Sequence, residues 1–322
     1  MQSPPLLVSY PELEDFIKAL PNDYAADTKQ VLRHLHSLSL PSVTSITSLA
    51  VLFGFSPRIL ASMTNQPEKF YRVFRIHKGK GKYRTIQAPK VALKVIQKWL
   101  SHHISEAITY PKYVHGFVPG RSHITAAQAH VGANWVYSID IENFFPTTSE
   151  SKVEAALRGI GYSESGSKLI SKLCCYTKNL SQGSPASPVL SNLVFKDLDS
   201  RIAELSSQIG VNYTRYADDL VFSGQGEFPE ALLPVKAWIS EAGWSVSKDK
   251  EHFAQLPKQR LKVHGLLVHE SSPILTKGYR KKIRTYKFLH ENNRIREDDK
   301  NRILGHLSYA KLVDSFSNQT EE

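Results

Sequence analysis

The sequence predicts an α+β fold in which an antiparallel sheet carries helices on one face. Two observations predict it. Short strand-like runs alternate along the chain with segments of helical periodicity. Two of those runs, VNYTRY and LVFS, are separated only by Ala217-Asp218-Asp219, which leaves room for nothing but a tight hairpin. The chain's 322 residues are enough for two or three domains, and 41% hydrophobic content suits a sizeable core. No internal repeat or low-complexity segment interrupts it.

Each element follows from local pattern. The first ~70 residues read as helical: Leu32, Leu35 and Leu38 mark one segment, and SLAVLFGFSPRILASM gives two short helices about a Gly-Phe-Ser-Pro turn. KFYRVFRI and YRTIQAP form a hairpin with a basic Gly/Lys tip, ended by Pro89. Leu93, Ile96, Leu100, Ile104 and Ile108 recur at helical spacing. In the strand NWVYSID, Val136, Ser138 and Asp140 share one face, so Asp140 lies where the strand ends. Helical patterns follow around 150–159 and 165–176, with Gly161 between them. Gln182-Gly183-Ser184-Pro185 is a turn, and a longer helix runs on from Pro188. After the hairpin come an amphipathic helix around 229–242, then GWSVSKDK, then RLKVHGLLV as one more strand.

Charge narrows the partner. The net charge is +11, and such a basic balance suits an anionic partner, most often nucleic acid. One cluster is HKGKGKYR (77–84), where glycines let the backbone approach a ligand. Another spans 277–302, with ten Lys or Arg against four Asp or Glu, and Tyr279, Tyr286 and Phe288 interleaved. Basic residues mixed with aromatics suit phosphate contact plus base stacking, although a solvated helix face has the same composition. No stretch reaches the ~18 continuous apolar residues of a membrane span, and the start lacks a charged leader. The adjacent Cys174 and Cys175 lack zinc-site spacing and fit a reducing compartment. The expectation is a soluble cytoplasmic protein with no membrane partner.

The carboxylates carry the chemistry. A lone Asp-Asp pair is most often a solvated turn. If the strand ending at Asp140 neighbours the hairpin, however, Asp140, Asp218 and Asp219 converge at one sheet edge. Such a cluster repels itself unless a cation sits in it, and Mg²⁺ favours one or two carboxylates with room for substrate phosphates. Two such ions about 4 Å apart can hold the attacking and leaving oxygens of a phosphoryl transfer. The combination suggests a nucleotidyl transferase acting on nucleic acid.

Tyr216-Ala217-Asp218-Asp219 resembles the Y-x-D-D signature of reverse transcriptases. Other stretches resemble that family's blocks in the family's order: YRVFRIHKGKGKYRTIQAPKVALKVIQKWL (71–100), VHGFVPGRS (114–122), YSIDIENFFPT (137–147), QGSPASPVLSNL (182–193), GWSVSKDK (243–250) and LKVHGLL (261–267). The resemblance covers roughly 45–270 and implies a right-hand polymerase fold. It divides the chain into an N-terminal helical region (1–70), fingers (71–136), a palm with an antiparallel sheet (137–268, finger helices inserted around 150–180) and a short basic helical thumb (269–322).

The resemblance also implies roles. Asp140 and Asp218 would hold two Mg²⁺ ions, with Mn²⁺ as a substitute, and the Ile141 carbonyl would be an extra ligand. Asp219 would support that site. Phe145 would exclude a ribonucleotide 2′-OH, unless the neighbouring Phe144 does so. Gln182 and Gly183 would contact the incoming nucleotide, Arg84 with Lys82 or Lys80 would clamp its triphosphate, and Lys250 would lie near it. Arg121 would contact the template or brace its own loop. His130 would belong to a retron-specific nucleic-acid element or else be a satisfied structural histidine, and Lys281, Lys282 and Arg284 would grip RNA.

Size and AAQAHVGANWVYSIDIENFFPT are similar to the retron class. Two positions depart from it: Ala126 stands where Asn is expected, and VHG (263–265) replaces V-T-G. Retron membership implies copying part of a cognate non-coding RNA from a guanosine 2′-OH into a branched RNA–DNA hybrid, msDNA. It also implies dNTP substrates and a separate effector protein in antiphage defence. The alternatives are another bacterial reverse transcriptase (diversity-generating, group II-derived or abortive-infection type) or an inactive RNA-binding protein of the same fold.

Overall fold

The computed structural model describes residues 10, 12–22, 24–79, 81–268 and 271–319. Helices α1 (Leu13–Ala19), α2 (Ala26–Ser37), α3 (Ile46–Phe53) and α4 (Pro57–Asn65) open the chain. Ser45 and Ser56 accept from backbone N–H groups of the first turns of α3 and α4, and Pro57 starts α4 where no N–H is needed. Strands β1 (Tyr71–Gly79) and β2 (Lys82–Pro89) form the basic-tipped hairpin; Lys80 lies outside the described residues. Next come α5 (Val91–Ala107), α6 (His123–Gln128) and β3 (Trp135–Asp140), then α7 (Phe144–Thr147), α8 (Glu150–Gly159) and α9 (Glu164–Cys174). The two-residue strands β4 (Cys175–Tyr176) and β5 (Asn179–Leu180) precede the long α10 (Ser187–Gln208). The Asp-Asp hairpin is β6 (Asn212–Tyr216) and β7 (Asp219–Gly224). Helix α11 (Pro234–Glu241), β8 (His252–Gln255), β9 (Lys262–Val263), β10 (Leu266–Leu267) and β11 (Ile274–Leu275) lead to α12 (Lys277–Glu291) and α13 (Glu297–Gln319).

One element differs from expectation. RLKVHGLLV is not one strand but two short ones, β9 and β10, folded about His264 (φ +47°) and Gly265 (φ +86°). Two successive left-handed residues make the tight hairpin turn that matches strand twist, so the apolar run reverses instead of continuing. β11 adds a third strand beside β10.

The chain forms two compact units, Met1–Tyr110 with Asn143–Asp197, and Pro111–Glu142 with Leu198–Glu322. The first is built on a helical core that includes Leu32, Leu35, Leu49, Leu93, Ile96 and Ile170, and it carries the β1–β2 hairpin. The second holds an antiparallel sheet of order β6-β7-β3-β8. Val136, Val221 and Ala254 from that sheet share a core with Ile124 of α6, Ile283 of α12 and Ile303 of α13, while Phe222 stacks on Tyr213 and meets Tyr137 at a tilt. Among the described residues no helix is long and apolar enough to cross a membrane.

Candidate active site

Strand register brings the carboxylates together. In the β3–β7 pair Asp140 is the direct partner of Asp219, and in the β6–β7 pair Tyr216 is the partner of Asp219. Ala217 and Asp218 are therefore the whole loop. Ile141 N donates to the Asp218 carbonyl at 2.9 Å, drawing the loop alongside the end of β3. One carboxylate oxygen from each of Asp140, Asp218 and Asp219 lies within 4.8 Å of the others. Three oxygen donors so close, one buried and two half-buried, suit a hard divalent cation, so the residues present fit such an ion.

The electrostatics show the strain of that arrangement. Burial, with a further contribution from the Asp218 charge, pushes the Asp140 carboxyl up to about 6 against the pull of Lys250. Burial also works to raise Asp219, but His264, Asp140 and Lys250 together hold it below the usual carboxylate range. Lys250 Nζ lies 2.6 Å from Asp140 Oδ2. Its segment is fastened to the same strand end: Ser247 N donates to the Asp140 carbonyl and Glu142 N to the Ser245 carbonyl, each at 2.8 Å. On the other flank His264 Nδ1 is 3.7 Å from Asp219 Oδ2, and its ring lies 5.2 Å from that of Tyr216. His264 Nε2 is buried and has no hydrogen-bond partner among the described residues.

A reverse transcriptase family model, described as RNA-dependent DNA polymerase, matches residues 76–289. The chain belongs to that family. The chain is 29% identical over 296 residues to the retron Ec86 reverse transcriptase of Escherichia coli, covering 88% of this chain and 89% of that protein. To the retron Mx65 reverse transcriptase of Myxococcus xanthus it is 29% identical over 319 residues, covering 90% and 72% respectively. The retron Mx162 enzyme of the same organism is 34% identical over 229 residues, 62% of this chain and 47% of that one. This is thus a bacterial retron-type reverse transcriptase, an RNA-directed DNA polymerase, and its α+β architecture is the right-hand polymerase fold.

The remaining residues singled out in the sequence fall in different settings. Arg121 is half-buried and donates through Nη1 to the carbonyls of Pro111 and Val114, bracing its own loop. His130 corrects an expectation: it is fully buried, with Nδ1 2.8 Å from Ser223 Oγ and Nε2 2.7 Å from Thr214 Oγ1. Both ring nitrogens are used between two strands, so this histidine has no surface to offer nucleic acid. Lys281, Lys282 and Arg284 are exposed on α12. The Ile141 side chain is buried.

In the first compact unit Arg84 and Lys82 are exposed on β2. Gln87 N, on the same strand, donates to the Gln182 carbonyl at 2.8 Å. A Cβ on Gly183 (φ +137°) would sit 2.8 Å from the Gln87 carbonyl oxygen, so only glycine allows this approach. Phe144 is buried and edge-on to Phe195, whereas Phe145 is only half-buried.

Sequence reasoning missed two supports of the hairpin. Gly116 packs so closely that a Cβ there would lie 2.2 Å from Ala217 N. Arg215 is fully buried in an ion pair with Asp199, Nη2 to Oδ2 at 2.6 Å. A charge within NYTRY is the signal; its partner, on the preceding helix α10, has none.

Proposed function

We propose that this reverse transcriptase copies part of a cognate structured non-coding RNA into a branched RNA–DNA hybrid, msDNA, primed from a guanosine 2′-OH, and that it serves antiphage defence with a separate effector. Relatives named as retron enzymes along most of the chain support the RNA-copying assignment. The observation that carries the chemistry is Asp140 paired in register with Asp219, with Asp218 in the adjoining loop.

In this reading Asp140, Asp218 and Asp219, with the Ile141 carbonyl, hold two Mg²⁺ ions. When bound, these supply positive charge to the attacking hydroxyl and the leaving pyrophosphate. The chain's own residues do the rest. Lys250, already beside Asp140, offers its ammonium to the triphosphate. Arg84 and Lys82 clamp phosphate from the β1–β2 hairpin, since a guanidinium matches phosphate with two parallel bonds. Gln182 and Gly183 line the nucleotide, and Phe145 turns away a 2′-OH. Exposed Lys281, Lys282 and Arg284 on α12 grip the RNA stem or product duplex through phosphates. The regions 1–70, 71–136, 137–268 and 269–322 act as N-terminal region, fingers, palm and thumb.

The test is primer extension on an RNA template with Mg²⁺ and dNTPs, wild type against Asp218→Ala. Equal signal from both would remove the catalytic assignment. Sequencing of nucleic acid that co-purifies with the protein should recover one structured RNA joined to its DNA copy; recovery of unrelated cellular RNA would remove the retron assignment.

A further inference from the structure

The loop that carries Asp218 is held in an unfavourable shape. Of its two residues, Ala217 has φ +58° and Asp218 does not share the positive sign. A two-residue hairpin with positive φ at its first position ordinarily uses glycine there. Alanine persists in such a conformation only where the surroundings over-determine it.

The surroundings are specific. Arg215 Nη1 donates to the Ala217 carbonyl at 3.0 Å. The same guanidinium gives Nε and Nη2 to Asp199, at 2.9 and 2.6 Å. Tyr213 donates its hydroxyl to Asp199 Oδ1 at 2.6 Å. Arg215 and Asp199 have no appreciable exposure. The backbone of Arg215 is itself clasped: its N–H donates to the Tyr113 carbonyl and its carbonyl accepts from His115 N, each at 2.8 Å.

The consequence lies in the peptide planes. Each peptide unit is rigid, so holding a carbonyl fixes the whole plane. Arg215 holds the plane that enters Asp218, through the Ala217 carbonyl. Ile141 N holds the plane that leaves it, through the Asp218 carbonyl. With both planes pinned, the direction of the Asp218 Cα–Cβ bond is set before any ligand arrives.

A buried ion pair is a poor stabiliser, because desolvation offsets its attraction and an apolar replacement is often as stable. What an apolar replacement cannot supply is a donor for Ala217. We propose that Arg215 is a positioning residue of the reaction centre: from its buried pair with Asp199 it holds the Ala217 carbonyl and so aims the Asp218 carboxylate. This rests on the assignment of Asp218 to that centre.

The experiment removes the pair without leaving a buried charge, in the triple variant Arg215→Met, Asp199→Leu, Tyr213→Phe. Folding is followed by thermal melting, and single-nucleotide extension gives kcat, dNTP KM and the Mg²⁺ concentration for half-maximal rate. The expected result is a melting temperature close to wild type, kcat lower by roughly 10- to 100-fold, dNTP KM little changed and a several-fold higher Mg²⁺ requirement. Adding Ala217→Gly should recover part of kcat, because glycine adopts the loop conformation unaided. A purely structural pair would give no such rescue. Arg215→Lys keeps a cation beside Asp199 and serves should the triple variant not fold; a lysine cannot make the fork to Asp199 and also reach Ala217, so kcat should again fall at least tenfold. Wild-type kcat and Mg²⁺ dependence in a folded variant would overturn the proposal. If Asp218→Ala is inactive while the Arg215 variants are fully active, only this inference fails; if Asp218→Ala is itself active, the underlying assignment fails.

Discussion

Lys250 Nζ sits 2.6 Å from Asp140 Oδ2, an exposed ammonium on a nearly buried carboxylate, with side-chain accessibilities of 59% and 6%. A pair with one wet partner contributes little to stability. Its position beside the carboxylate cluster is what matters. Lys250→Ala should therefore melt within a few degrees of wild type, yet lose ~10-fold or more in kcat/KM for dNTP, with Lys250→Arg retaining part of it. Steady-state extension at varied dNTP checks this; an unchanged kcat/KM would take Lys250 out of nucleotide binding.

The three carboxylates lie close together, and their mutual repulsion costs stability. Asp218→Asn should cut extension ~1000-fold or more, equivalent to about 4 kcal/mol of barrier. The same change should raise the melting temperature of the metal-free protein, because Asp140 no longer faces the Asp218 charge that helps push it up to about 6. It should also diminish the stabilisation that wild type gains from added Mg²⁺. Melting curves with and without Mg²⁺ test both statements, and a destabilised metal-free variant would contradict them.

Burial separates the two adjacent phenylalanines. Phe144 is packed against Phe195 in the core, so its truncation should cost ~3 kcal/mol or more of stability. Phe145 is half-buried. Phe145→Ala should fold and should incorporate ribonucleotides more readily, measured as the ratio of kcat/KM for dNTP and rNTP. An unchanged ratio would mean that another side chain faces the sugar.

On α12, Lys281, Lys282 and Arg284 are exposed, while Ile283 alone of that run is buried in the core. Replacing the three cations by Glu should leave the helix packed and weaken RNA binding. The slope of log K against log salt should become shallower by about one for each phosphate that is no longer neutralised. Binding titrations from low to moderate salt measure it, and an unaltered slope would place the RNA elsewhere.

His130 gives a pH dependence. Full burial pushes its imidazole down to about 3 from an ordinary value of 6.5, so it stays neutral in the folded state. Its contribution to stability is complete above pH ~6.5 and is lost as pH falls, since the unfolded chain binds the proton and the folded chain does not. By about pH 5 this one group should cost about 2 kcal/mol. His130→Gln should flatten the acid limb by that amount in urea unfolding at about pH 5 and about pH 7.5; parallel limbs would show that His130 is charged in the folded protein.

The carboxylate cluster was legible in its parts because each has a local cause. Three residues between strand-like runs leave room only for a tight turn, and alternation along NWVYSID can only leave Asp140 at the strand's end. RLKVHGLLV was harder, since an apolar run reads as a strand whether or not it reverses. His264 and Gly265 taking left-handed conformations together is a property of the packed chain, and it is what sets His264 beside Asp219. His130 was ambiguous for a related reason: a histidine between Ala129 and Val131 gives no local sign that Ser223 and Thr214 will close over both nitrogens.

By itself the amino-acid order determined helices such as α5 and α10, the β1–β2 and β6–β7 hairpins, the place of Asp140 at the end of its strand, the place of Asp218 and Asp219 at or beside a turn, and the basic character of α12. These depend on residues within a few positions of one another, where periodicity and turn chemistry act. Tertiary structure alone decided that β3 pairs with β7 in the register that sets Asp140 against Asp219, and that Arg215 finds Asp199 and holds Ala217. Register between distant strands is chosen by the packing of both faces at once, and a slip of one residue would turn every side chain to the opposite face.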